Sequence, residues 1–215
     1  IDAGDDADVI SLSGGNNTVL GGSGADSITA SNGSNVIDAG TEDDTITATN
    51  GFNTITAGDG NDTVRLNNGT NSLVAGSGLD TITAASGTNT IDAGDDADVI
   101  TLSGGNNTLS AGSGNDSITA SGGTNTIVTD SGNNTVVLND GTNSVTAGTG
   151  ADTITAAGGL NTITSGDGND TVILNNGTNS VVAGTGIDTI NAASGTNRID
   201  AGDDADVISL SGGNN

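Results

Sequence analysis

Residues 57–74 read AGDGNDTVRLNNGTNSLV, and residues 75–92 read AGSGLDTITAASGTNTID. The second stretch is the first with conservative changes, set 18 residues on, and the same unit continues in both directions without an insertion. Units begin at Ala3, Gly21, Ala39, Ala57, Ala75, Ala93, Ala111, Thr129, Ala147, Ser165, Ala183 and Ala201. Self-similarity at a fixed short period marks a repeat architecture, in which each unit buries its apolar face only by stacking on the next. Residues 1–215 are therefore expected to form one continuous array of about twelve coils. Residues 1–17 recur unchanged as 199–215, so the chain is also expected to be a window of a longer array.

With Ala57 as position 1, position 13 is always Gly and position 15 always Asn. Position 2 is Gly except at Asp130, and position 6 is Asp except at Asn134. Apolar residues fall at positions 8, 10 and 17, as in Val64, Leu66 and Leu73, and position 1 is mostly Ala. This is alternation with period two, twice per unit, each run following a Gly-rich turn, and it predicts two short β-strands per unit. The Gly, Thr and Asn content argues against helix. A meander of hairpins is compatible with dipeptides such as Asn68-Gly69, but gives no reason for one column of Asp and another of Asn. A stack of coils does, because each residue then lies about 4.7–4.9 Å from its own copy. The fold class is all-β, a parallel β-roll or β-solenoid. Its inward columns are positions 1, 8, 10 and 17, and from Ala48 to Leu210 position 10 alternates Ala with Leu.

Stacked carboxylates about 5 Å apart repel unless a cation lies between them. The turns that carry them read x-G-x-G-x-D, as in GDGNDT at 58–63 and 166–171 and GSGNDS at 112–117. This resembles the calcium-binding nonapeptide of the RTX (repeats-in-toxin) family, GGxGxDxUx, over the whole chain. The resemblance implies a β-roll with calcium ions between successive coils. It assigns the ligand role to Asp8, Asp26, Asp44, Asp62, Asp80, Asp98, Asp116, Asp152, Asp170, Asp188 and Asp206. Hard divalent cations take 6–8 oxygens, which such carboxylates and turn carbonyls could supply. Calcium is favoured over zinc because the chain has no His and no Cys. Read plainly, the same Asp are turn formers that bond their own backbone.

Two departures from the family pattern carry expectations. The second turn of each unit holds Asn where the family has Asp, so calcium is expected on one edge and an amide ladder on the other. The unit TDSGNN at 129–134 lacks both the Gly and the Asp, so sites beside Asn134 are expected to be weak or empty. Asp6, Glu42, Asp96 and Asp204 add acids at position 4, either as further ligands or as surface charge.

The chain holds 27 acids against two cations, Arg65 and Arg198, for a formal net charge of -25. Such a composition is expected to stay disordered until something positive joins it. Nucleic acid is an unexpected partner, since it binds basic patches. No apolar run approaches membrane-spanning length, so insertion is not expected. No nucleophile–base pair is visible, and no enzyme is predicted. The expected role is structural: a secreted, filament-forming repeat protein, bacterial in origin, of a matrix fibre, sheath, surface layer or adhesin stalk, self-associating end to end, with side-by-side contact as an open addition. Thr pairs at positions 7 and 9, such as Thr81 and Thr83, resemble ice-binding solenoids and give a first alternative. A non-catalytic export or folding module of a secreted toxin or hydrolase gives a second. Leu79 and Ile187, and Phe52 and Leu160, are apolar residues at positions expected to face solvent, each pair 108 residues apart.

Overall fold

Each apolar alternation becomes a strand. In the computed structural model, which describes residues 1–215, positions 7–10 form a four-residue strand in every coil, as at Thr63–Leu66 and Thr81–Ala84. Positions 14–18 form a second strand, which in many coils runs on into the next turn, as at Phe52–Asp59 and Thr70–Ser77. All short strands join one parallel sheet of twelve, and all long strands another. Register is the repeat itself: Thr81 lies opposite Thr63 and Ala84 opposite Leu66. The fold is a β-solenoid, and the parallel pairing excludes the hairpin meander.

The two sheets enclose a single thin core. Val64, Leu66, Leu73 and Ala75 are fully buried, with their copies in every interior coil. Between the sheets run two turn edges, and both are built on residues in left-handed backbone. Gly69 lies at φ +94° in the second turn and Gly58 at φ +121° in the first. A β-carbon on Gly58 would overlap the carbonyl oxygen of Gly40 in the coil before, so close stacking and left-handed φ both demand glycine.

The second-turn edge is closed by amides, as its sequence predicts. Asn53 Nδ2 donates to Asn71 Oδ1 at 2.8 Å, and Asn71 Nδ2 to Asn89 Oδ1 at 2.8 Å. Each Nδ2 also donates to the carbonyl three residues back, as Asn71 does to Asn68 at 3.2 Å. The ladder runs from Asn17 to Asn215. Each interior amide uses both protons and accepts one, so a buried polar column costs no unpaired group.

Charge is segregated by the stacking. Every acid except Asp140 lies between position 18 and position 6, on or beside the first-turn edge. The outer columns of the short-strand sheet (positions 7 and 9) and columns 14 and 16 of the long-strand sheet carry no acid. Phe52 and Leu160 project from column 14, 66% and 52% exposed. Leu79 and Ile187 are also exposed, on the first turn.

Candidate metal centre

The first-turn edge holds the other polar column, and it is not closed. Asp26, Asp44, Asp62, Asp80, Asp98, Asp116, Asp152, Asp170 and Asp188 are all buried, in line along the rod, with half-buried Asp8 and Asp206 continuing the line. One oxygen of each except Asp8, which has no coil before it, is used by main chain. Asp44 N donates to Asp62 Oδ1 at 2.7 Å, Asp62 N to Asp80 Oδ1 at 2.7 Å, and Asp80 N to Asp98 Oδ1 at 2.8 Å. The bond repeats from Asp8 N to Asp206 Oδ1, passing through Asn134. These N–H groups offset part of the repulsion that the sequence alone implies between stacked carboxylates.

The second oxygen has nothing. Oδ2 of Asp8, Asp26, Asp44, Asp62, Asp80, Asp98, Asp116, Asp152, Asp170 and Asp188 is buried without a hydrogen-bond partner. These oxygens point toward position 1, since a methyl on Gly21 would overlap Asp26 Oδ2. A buried anionic oxygen left unpaired costs several kcal/mol unless it meets a cation or takes a proton. The carboxyls respond as that predicts. Burial pushes Asp44, Asp80 and Asp152 up to about 6 and Asp98 to about 7, against the pull of the donated N–H and with a further push from neighbouring carboxylates. Burial also raises Asp62, Asp116, Asp170 and Asp188.

The surroundings offer more oxygen and, apart from the Ser165 hydroxyl beside Asp170, no side-chain donor. In the one coil where an amide replaces the carboxylate, Asn134 Nδ2 reaches the position-4 carbonyl of Gly132 at 3.2 Å. The equivalent carbonyls elsewhere, such as those of Gly60 and Gly78, accept no main-chain hydrogen bond. Orphaned carboxylate oxygen and free carbonyl oxygen on one turn suit a hard divalent cation, and the absence of nitrogen and sulfur donors disfavours zinc. No three acidic side chains converge on a point, so main-chain oxygen and water would complete any shell. The residues present therefore fit calcium.

The acids at position 4 behave differently. Asp6, Glu42, Asp96 and Asp204 are exposed and hold left-handed φ of 75–83° where other coils use Gly. Glu42 Oε2 accepts from Gly24 N at 2.7 Å and Asp204 Oδ2 from Gly186 N at 3.1 Å, so these two cap main chain outside the buried column.

One feature escaped the sequence reading. The Thr array nominated on positions 7 and 9 is interrupted by Arg65, Val137, Ile173 and Asn191. A more continuous one lies on the long-strand sheet at positions 14 and 16: between Phe52 and Leu160, the pairs Thr70/Ser72, Thr88/Thr90, Asn106/Thr108, Thr124/Thr126 and Thr142/Ser144 follow one another on outward-facing sites. Period-two alternation running through the invariant Asn at position 15 was the available signal.

No curated protein sequence matches the chain. Among solved structures, the fold is similar to that of a hyperactive, Ca2+-dependent, β-helical antifreeze protein from an Antarctic bacterium, with TM-score 0.73 and 22% identity over 96% of this chain and 79% of that one. The family model for the RTX calcium-binding nonapeptide repeat (4 copies) matches residues 2–37, 11–46, 38–73, 66–100, 101–136, 138–172, 173–208 and 182–215. With almost every residue inside that match and a column of buried, unpartnered carboxylate oxygens on its first-turn edge, this chain belongs to the RTX calcium-binding repeat family.

Proposed function

We propose that the chain is a calcium-folded structural segment of a secreted bacterial protein, of the matrix-fibre, sheath, surface-layer or adhesin-stalk kind. Asp8, Asp26, Asp44, Asp62, Asp80, Asp98, Asp116, Asp152, Asp170, Asp188 and Asp206 hold ions between successive coils. The observation that carries this reading is the row of orphaned Oδ2 atoms. Calcium supplies the positive charge that the row lacks. The chain supplies everything else: the Gly turns set the carbonyls, the core sets coil spacing, and Oδ1 is fixed by a main-chain N–H. Because the site exists only when coils stack, the free energy of ion binding is free energy of folding. A chain of this kind stays unfolded where calcium is scarce and becomes a stiff rod where it is abundant. Each coil's unpaired strand edges template the next, which favours end-to-end association of rods. The test is a calcium titration followed by circular dichroism and electron microscopy. Cooperative gain of β-structure and straight filaments, both lost to chelator, are the expected result. An ordered rod after exhaustive chelation at neutral pH refutes it.

Ice binding is a second reading, supported by the mostly hydroxyl-bearing columns at positions 14 and 16 between Phe52 and Leu160 and by the fold shared with the antifreeze protein. Thermal hysteresis of the calcium-loaded chain, abolished by Thr88→Tyr with Thr126→Tyr, is the outcome that would favour it over the structural role.

A further inference from the structure

Coil 129–146 departs from its neighbours at three positions of one turn: Thr129 replaces Ala, Asp130 replaces Gly, and Asn134 replaces Asp. Two of these changes answer each other in space. Asn134 Oδ1 keeps the column's main-chain bond, accepting from Asp116 N at 2.9 Å. Its Nδ2 stands where the other coils leave an orphaned oxygen. That nitrogen donates to Thr129 Oγ1 at 3.1 Å and to Gly132 O at 3.2 Å. Thr129 Oγ1 in turn donates to Ala147 O in the next coil at 2.6 Å. Both side chains are buried, at 1% and 0% exposure, and Asn134 leaves no polar atom without a partner. Aspartate in this place would lose both donated bonds, and alanine at 129 would remove the acceptor that the amide uses.

The geometry points to coil 129–146 as a cation-free joint. Here two N–H donations do what an ion does elsewhere, and the calcium row is divided into two independently loading segments, Asp8–Asp116 and Asp152–Asp206. This inference rests on the calcium reading of the aspartate column. On that reading each ion belongs to a step between consecutive Asp, with six steps before the joint and three after it. The joint turn has no negative side chain in the column to hold a cation there. The flanking carboxylates of Asp116 and Asp152 are two coils apart and the nearest ions three, about 14 Å along the rod, so binding in one segment does not prepare the other.

The experiment counts calcium bound to the full 215-residue chain by equilibrium dialysis and follows unfolding on chelator titration. The parent is expected to bind about nine ions on this step rule and to lose order in two chelator-dependent stages. Restoring the column with Asn134→Asp and Thr129→Ala should add two ions and merge the stages into one. Transplanting the joint with Ala75→Thr and Asp80→Asn should remove two ions and split the first segment. A parent that binds ions at the steps flanking Asn134, or paired variants that leave the count unchanged, overturns the joint while leaving the calcium row standing. A parent that binds no calcium overturns the row, and the joint with it. Should the restored variant fail to fold, the transplanted one decides alone, since its new contacts copy a pair already present in the chain.

Discussion

Acidifying the calcium-stripped chain from about pH 7.5 to about pH 4.5 should return order to it, opposite to the usual behaviour of carboxylates in folded proteins. The folded-state values of Asp44, Asp80 and Asp152 are pushed from 3.8 to about 6, and that of Asp98 to about 7. Between 3.8 and those values the folded state holds more protons than the unfolded one, so stability falls as pH rises through that window. A rise of two units is worth about 3 kcal/mol per carboxyl. Water just beyond the turn weakens this, and we take about half. Four such groups then cost roughly 6 kcal/mol at neutral pH, comparable with the whole net stability of a typical domain, about 5–15 kcal/mol. The assay strips calcium with chelator at neutral pH, desalts, and records thermal unfolding by circular dichroism across the window. Dilute samples checked by sedimentation are needed because the isoelectric point is near 4.1. The expected result is β-structure near pH 4.5 that melts at progressively lower temperature and is lost by neutrality. With saturating calcium the trend should invert, since protons then compete with the ion. A stripped chain whose melting temperature is flat, or rises with pH over the same range, would refute the claim that unpaired buried carboxylates are what keeps it unfolded.

Three substitutions probe the remaining parts of the coil. Gly58→Ala forces a β-carbon onto the Gly40 carbonyl at φ +121°, and should weaken calcium-induced folding by more than the roughly 1 kcal/mol of an ordinary Gly-to-Ala change, read as a higher midpoint in a calcium titration. Asn89→Ala strips partners from Asn71 Nδ2, Asn107 Oδ1 and Ser86 O, and should cost roughly 2–4 kcal/mol in urea unfolding of the calcium-loaded rod. Ile82→Ala leaves a void between sheets and should cost about 2–5 kcal/mol by the same measurement, with calcium stoichiometry unchanged.

The coil was legible in the sequence because its signals are local and repeated. Alternation at Val64, Leu66 and Leu73 fixes which faces turn inward, and Gly58 and Gly69 fix where the chain bends. The Asn and Asp columns were legible as columns, because stacking sets residues 18 apart side by side. What each column does with its atoms was not. That Asp62 N is satisfied by Asp80 Oδ1, leaving Oδ2 of Asp80 bare, depends on side-chain direction within a turn, which spacing does not encode. The partnership of Thr129 with Asn134 was hidden for the same reason: two departures from the repeat read as defects one by one, and as a pair only when their atoms meet. The hydroxyl columns at positions 14 and 16 were not legible, because the inward residue between them is a polar Asn and the apolar–polar alternation that marks a strand face is broken there.

The amide ladder also makes the rod an arrow. Between Asn17 and Asn215 every side-chain carboxamide gives one proton to the coil that follows and takes one from the coil before. Unlike the up-and-down main-chain bonds of a parallel sheet, these dipoles all align, and each strengthens the next by polarisation. Any cross-section through the rod thus shows bare oxygen on one cut surface and bare N–H on the other. Two rods can be joined through that edge only with their arrows pointing the same way, so a fibre assembled from such pieces would have a direction, with a growing tip chemically unlike its base.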